Sequence, residues 1–300
     1  MHLDDLFATY AALRLLGRSE SNRHQYKISL SRFTKFLQRR PVAADLTDIN
    51  VAGLMQNMLD RGRSPATCNK ARDHLTAIWR FASRHRIVDT WPEVPPLPEP
   101  ERIPVAWTID ELNLLLEYIE TLDGMIAGTP AADWWTALIL VLWDTGERIG
   151  AVLKLRWCDV RLVSGTLIFR AETRKGRTRD KLHVIHPDTV IRLRRLAHHP
   201  LVFQWDRSYT LIWKHFGHML ERAGLPYDRK SKFHRIRKTA ASYYKRAGGN
   251  PTELLDHASP KTTAAYLDPT IIGHHPAHEL LPRLRSAPSV RTTGPRAKRA

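Results

Sequence analysis

The sequence predicts a mainly α-helical protein in two parts: a helical N-terminal domain, and a second domain of α+β class with a small antiparallel β-sheet. Three observations carry this expectation. Apolar residues recur at helical spacing through the first ninety residues and again beyond residue 108, a proline-dense run separates the two stretches, and two short strand-like runs flank a polar, Gly-containing segment. A chain of 300 residues is also too long for one small core and comfortable for two domains.

Taken in order, Leu3, Phe7 and Tyr10 outline a first short helix, and Tyr26, Leu30, Phe33 and Leu37 a longer one. Ser64-Pro65 reads as a helix start, with Ser as N-cap and Pro at the first helical position. Leu75, Ile78, Trp79 and Ala82 then form one apolar stripe, while Lys70, Arg80 and Arg84 fall on the opposite face. Six of the thirteen residues from Pro92 to Pro104 are proline, which predicts a semi-rigid extended linker spanning at most about 40 Å. The second domain opens with a capping box, Thr108 to Glu111, ahead of Leu112, Leu115, Leu116 and Ile119. A buried helix is expected from Ala131 to about Trp143, then a turn at Thr145-Gly146 and a short helix to about Leu155. Thr166 to Ala171 and Lys181 to Ile185 read as the arms of a β-hairpin. The pattern is helical again to about Arg285, and residues 286–300 read as a basic disordered tail. The domain boundaries expected are therefore 1–91, a linker over 92–104, and 105–285.

Charge narrows the partners. Lys plus Arg number 47 against 30 for Asp plus Glu, a net of +17 with neutral His, spread along the whole chain. Solubility alone does not require one sign to dominate, so a phosphate backbone is the expected partner. The basic outer face formed by Lys70, Arg80 and Arg84 suits phosphate tracking, and a solvated helix face has the same pattern. Cys68 and Cys158 lie far apart in apolar contexts, offering neither a disulfide framework nor metal spacing; both are expected to be buried small hydrophobes in a reducing cytoplasm. The N-terminus has no signal-peptide pattern, and the apolar run Trp134–Trp143 is too short to span a bilayer. His198-His199 and the group His274, His275 and His278 lack grouped acidic or Cys partners, so surface histidines are expected and no metal.

Four short segments hold the candidate chemistry. They are Thr145-Gly146-Glu147-Arg148-Ile149-Gly150, Arg174-Lys175-Gly176, His234-Arg235-Ile236-Arg237, and Leu254-Leu255-Asp256-His257 followed nine residues later by Tyr266. Singly, each has an ordinary structural explanation. As an ordered set, Arg148, Lys175, His234, Arg237, His257 and Tyr266 resemble the phage integrase or tyrosine recombinase family, which includes Xer-like and Cre-like enzymes. The first box, the hairpin lysine, the second box through Thr239 and the third box with Thr262-Thr263 before Tyr266 all have counterparts here. Three positions depart from the family pattern: Ala151 stands where an acidic residue is usual, Lys238 replaces a commoner His, and Asp256 replaces a Gly. Glu147, unusual just before Arg148, offers a carboxylate that takes over part of the missing acid's task.

The resemblance implies a helical, SAM-like core-binding (DNA-binding) domain and a catalytic domain with a small antiparallel sheet. It implies cleavage and rejoining of double-stranded DNA through a 3′-phosphotyrosine on Tyr266, with no cofactor. The partners implied are specific recombination sites and a homotetramer on synapsed DNA, monomeric in free solution, with room for an accessory DNA-bending protein. The expected location is the cytoplasm, at the nucleoid when DNA-bound. The start of the helical pattern near Met1 points to a two-domain, simple-site enzyme. Two other readings stay open at this point: a type IB topoisomerase, which uses similar residues, and a DNA-binding protein whose site has decayed.

The chemistry is consistent on physical grounds. Phosphodiester cleavage builds negative charge on the nonbridging oxygens, which permanently charged, planar guanidinium groups suit. Arg148 and Arg237 are placed to clamp one phosphate, His234 and His257 to add donors or handle the tyrosine proton, and Lys175 to protonate the leaving 5′ oxygen. Free tyrosine ionises near pH ~10, so attack at neutral pH needs a base or a strongly positive site.

Overall fold

A computed structural model describes residues 1–273 apart from 175, 177, 178 and 229–231. The chain divides into two compact units, residues 1–101 and residues from 102 onward.

The first unit is helical. Helices α1 (Leu3–Arg14), α2 (Glu20–Leu37), α3 (Asp48–Asp60) and α4 (Pro65–Arg84) enclose one core. Ser19 and Thr47 accept hydrogen bonds from backbone N–H groups in the first turns of α2 and α3, satisfying donors that a helix start leaves orphaned. The predicted stripe of α4 is buried, with Leu75, Ile78 and Ala82 fully enclosed, while Lys70, Arg80 and Arg84 are exposed. Ser64 does precede α4, but its hydroxyl bonds the Thr67 hydroxyl at 2.9 Å rather than a backbone N–H.

The proline-rich run begins as part of this unit. Asp48 Oδ1 accepts from the backbone N–H groups of Glu93 and Val94, and Arg72 Nε donates to the Val94 carbonyl at 2.7 Å. Asn69 grips the backbone of Leu97 from both sides, donating to its carbonyl and accepting from its N–H. Val94 is buried in the helical core. Proline removes backbone donors, and three of the N–H groups left in the run, those of Glu93, Val94 and Leu97, are caught by Asp48 and Asn69.

The second unit is built round α6 (Ala131–Thr145), ten of whose fifteen residues are buried, including Trp134, Trp135, Leu138 and Leu142. Ahead of it lie α5 (Ile109–Glu120), started by the expected capping box of Thr108 and Glu111, and a short antiparallel pair, β1 (Met125–Ile126) with β2 (Thr129–Pro130). Behind it come α7 (Ile149–Val152) and the three-stranded antiparallel sheet of β3 (Val160–Arg161), β4 (Thr166–Phe169) and β5 (Lys181–Val184). In register, Phe169 faces Lys181 and Thr166 faces Val184, so the two strands form the expected hairpin. Helix α8 (Pro187–Leu193) and α9 (Tyr209–Arg222) lead to α10 (Phe233–Arg246). The short helices α11 (Pro251–Leu254), α12 (Pro260–Ala264) and α13 (Pro269–Ile272) each begin with proline at the first helical position and a side-chain cap from Asn250, Ser259 and Asp268.

Cys68 is buried as expected, but Cys158 is exposed. A 3-10 turn over Trp157–Asp159 points Asp159 inward, where its carboxylate meets Arg170 at 2.6 Å, and this leaves the preceding cysteine facing out. His199 bonds the Ala127 carbonyl and His198 packs on Trp157, and among the described residues no His, Cys, Asp and Glu group has metal-holding geometry. No described helix is long and apolar enough to cross a membrane. Lys175, the group His274, His275 and His278 and the tail over 286–300 lie outside the described residues.

Candidate active site

Helix α10 supplies the centre of the site. Phe233, Ile236, Ala240 and Ala241 form its inward stripe, with Phe233 stacked on Phe216 of α9 at 4.1 Å between ring centroids. Arg237 lies four residues after Phe233 and so falls within that stripe, which is why its side chain is only 1% exposed. His234, one residue round the helix, keeps an exposed edge.

A buried guanidinium needs its donors satisfied. Arg237 Nη1 donates to the Gly146 carbonyl, and Nη2 donates to the Leu255 carbonyl at 2.8 Å and lies 3.3 Å from His257 Nε2. One side chain therefore ties the turn before Arg148 to the segment before His257. Gly146 ends α6 in the left-handed region (φ 59°), and a Cβ there would lie 3.4 Å from the Leu255 side chain. The turn then places Arg148 at the N-cap of α7, half-buried, with its positive charge felt at His234.

Tyr266 is reached from the other side. His257 Nδ1 pairs with Thr263 Oγ1 at 3.1 Å, bracing the imidazole against α12. The Tyr266 ring sits 4.8 Å from the His257 ring and 5.0 Å from the His234 ring, centroid to centroid, with the Arg237 guanidinium carbon 5.7 Å from its centre. Ser242 Oγ bonds the backbone N–H of Asp268 at 2.9 Å, and Asp268 Oδ2 accepts from the Ala106 N–H at 2.6 Å. Helix α13 packs on α10 of its own domain, with Ile271 buried. The structure thus brings Arg237, His234, His257 and Tyr266 into direct proximity, with Arg148 beside them.

The electrostatics follow from the cations. Loss of water round the ring, then the charges of Arg237, Lys238 and Arg148, lower His234 to about 4, so it is a neutral imidazole near pH 7. Behind Arg148 lies a buried acid. Burial alone would raise the Glu147 carboxyl, but contact with His183 and the charges of Arg174 and Arg237 outweigh it and hold the group at about 2. Arg174 meets Glu147 Oε1 through Nε at 3.0 Å and Nη2 at 2.8 Å. Ala151, at the position where an acid was missing, is buried among apolar residues.

Sequence reasoning missed Lys181. Its ammonium donates to the carbonyls of Glu253 and Leu254, at 2.6 Å each, tying β5 to the end of α11. Burial lowers it to about 8. Its signal was hidden because the carbonyls it serves lie more than seventy residues away. Thr263 was visible in the Thr-Thr pair, but its task of holding His257 was not.

The chain is 22% identical over 288 residues to the tyrosine recombinase XerC of Pediococcus pentosaceus, covering 89% of this chain and 93% of that protein. Its fold is similar to the λ integrase fragment 75–356 solved as a dimer bound to a COC′ core site, with a TM-score of 0.71, 17% identity, and coverage of 89% of this chain and 96% of that one. A λ integrase tetramer bound to a Holliday junction gives a TM-score of 0.70 at 16% identity, covering 89% and 78%. Residues 107–271, more than half the chain, match the phage integrase family, and the chain therefore belongs to that family of tyrosine recombinases.

Proposed function

We propose that this protein is a site-specific recombinase that cleaves and rejoins double-stranded DNA through a covalent 3′-phosphotyrosine on Tyr266, in the integration, excision or resolution of a mobile element. The carrying observation is the Tyr266 ring set between two imidazoles, 4.8 and 5.0 Å away, with a buried guanidinium 5.7 Å from its centre. Tyr266 Oη attacks the phosphorus, its proton passes to a neutral imidazole or to water, and the bond to the 5′ oxygen breaks. Lys175 is the proposed donor of the proton that the leaving 5′ oxygen takes up. Arg148 and Arg237 hold the nonbridging oxygens as their charge grows. The phosphotyrosine keeps the energy of the broken linkage, so resealing by the reverse attack needs no ATP, and the guanidinium groups supply the charge that a metal supplies elsewhere.

Lys70, Arg80 and Arg84, exposed on the outer face of α4, are proposed to follow the phosphate backbone. The likeness to λ integrase supports a homotetramer on two synapsed sites. The test is recovery of protein-linked DNA from nicked duplex fragments, without metal or ATP, beside Tyr266→Phe. Adducts from the wild type alone, clustered at one inverted-repeat site, are expected. Adducts scattered without sequence preference would favour topoisomerase action, and tight binding with no adduct would mean a decayed site.

A further inference from the structure

Asp256 has an unusual position. It ends α11 in the left-handed region (φ 50°), its N–H bonding the Glu253 carbonyl while the His257 N–H bonds back to Thr252 at 2.9 Å. Glycine takes this conformation without penalty, and a residue with a Cβ is strained there. Its side chain nevertheless makes contacts that no glycine could. Oδ2 lies 3.0 Å from Arg174 Nη2 and Oδ1 lies 3.1 Å from Arg179 Nη2.

The two arginines approach from the hairpin. Arg174 is enclosed, also held by Glu147 and by its own bond to the Arg179 carbonyl at 3.3 Å, so it is a fixed post rather than a mobile surface cation. On the other side, Asp256 is bonded in the chain to Leu255, whose carbonyl receives Arg237, and to His257, which faces Tyr266. A continuous path therefore runs from Glu147 through Arg174 to Asp256 and on to the two groups beside the nucleophile.

We infer that Asp256 is a positioning residue for strand cleavage, a carboxylate clamp that fixes the Leu255–His257 segment, and hence Arg237 and His257, against the Arg174–Arg179 hairpin. This role rests on the recombinase reading above. The clamp explains why a strained backbone position carries an acid: the conformation is set by the helix end, and the charge is used to lock the loop.

The unequal effects of one substitution on folding and on chemistry test it. Asp256→Gly relieves the strained backbone but takes a partner from the buried Arg174, so its melting temperature should stay within a few degrees of the wild type while it cleaves at least tenfold more slowly in a single turnover at saturating DNA. Asp256→Asn, close in shape and without charge, should show the same slow cleavage with DNA affinity within twofold of the wild type. Arg179→Gln, at a side chain that is 81% exposed, guards against a folding failure. It should slow cleavage severalfold, and added to Asp256→Asn it should slow cleavage no further. Cleavage by Asp256→Asn within twofold of an active wild type, or losses that multiply in the double variant, would overturn the clamp alone. A wild type that forms no adduct would overturn the recombinase reading and this role with it.

Discussion

Arg174 Nη2 stands 2.8 Å from Glu147 Oε1, and 2% of each side chain reaches solvent. This pair joins the tip of the β4–β5 hairpin to the turn that carries Arg148, two segments 27 residues apart. Buried charges are expensive unless paired and hydrogen-bonded, and here the guanidinium also meets Asp256 and a backbone carbonyl.

Removing one member should therefore cost more than a surface pair would. Glu147→Ala is expected to lose on the order of 3–5 kcal/mol in chemical denaturation at pH 7, and Glu147→Gln about 1–3 kcal/mol because an acceptor remains. The pH dependence has a definite sign. A carboxyl held at about 2 instead of 4.5 contributes its stability above pH 4.5 and loses it as the pH falls toward 2. The gap between wild type and Glu147→Gln should narrow across that window. A constant gap from pH 6 to pH 3 would show that the carboxylate charge is not what stabilises the fold.

Arg237 reaches Gly146, Leu255 and His257 with one planar group, a task that a single ammonium cannot repeat. Arg237→Lys should lower stability by about 2–4 kcal/mol, since buried carbonyls lose their donors. Its cleavage should fall on the order of 100–1,000-fold, the usual loss when an oxyanion donor is removed. Near-normal adduct yield from this variant would mean that the guanidinium acts only as a brace.

The parts of this site legible in the sequence were those written in local signals. The Thr108 capping box, the turn at Gly146 and the arms of the β4–β5 hairpin each depend on residues within a turn or two or on a strand's own alternation. The hidden parts depend on partners far along the chain. Thr239 Oγ1 holds the Trp107 N–H across 132 positions, and Asp268 holds Ala106 across 162. No periodicity announces such bonds. Cys158 misled for the same reason, since the burial of Asp159 against Arg170 decides which way the turn faces. Asp256 read only as a residue standing where a Gly is usual, because its two arginine partners come from the hairpin.

Lys181 is expected to give the cleavage reaction an alkaline limb. Burial lowers its ammonium to about 8 from 10.5, so the folded chain releases this proton more readily than the unfolded one. The charged form thus costs stability below pH 8, a cost relieved as the pH rises from 8 toward 10.5. Deprotonation also turns two charge-assisted bonds, to Glu253 and Leu254, into weaker neutral ones. Single-turnover cleavage should fall with an apparent midpoint near pH 8, and Lys181→Arg, which stays charged, should lose that limb. An unchanged limb in Lys181→Arg would assign it to another group.

Asp268 should matter for both stability and nucleophile placement. Oδ1 caps α13 through the Thr270 N–H at 2.9 Å, Oδ2 holds the Ala106 N–H, and the Asp268 N–H is itself held by Ser242 on α10. Tyr266 is two residues away, so the backbone carrying the nucleophile is pinned through this aspartate. Burial alone would raise the carboxyl, but its bonds to Thr270 and Ala106, with Arg235 nearby, bring it below the usual value of 3.8. Its stabilising effect is therefore present above pH 3.8 and fades as the pH falls below it. Asp268→Ala loses a cap worth about 0.5–2 kcal/mol and leaves the buried Ala106 N–H without this acceptor, for a total on the order of 2–3 kcal/mol. Asp268→Asn keeps one acceptor oxygen, enough for the cap, but its NH2 group then faces the Ala106 N–H, so it should recover only the cap's share. If the pinning is real, both variants should slow adduct formation at temperatures where they are still fully folded, Asp268→Asn the less. Adduct formation at the wild-type rate in both would show that Asp268 serves the fold and not the placement of Tyr266.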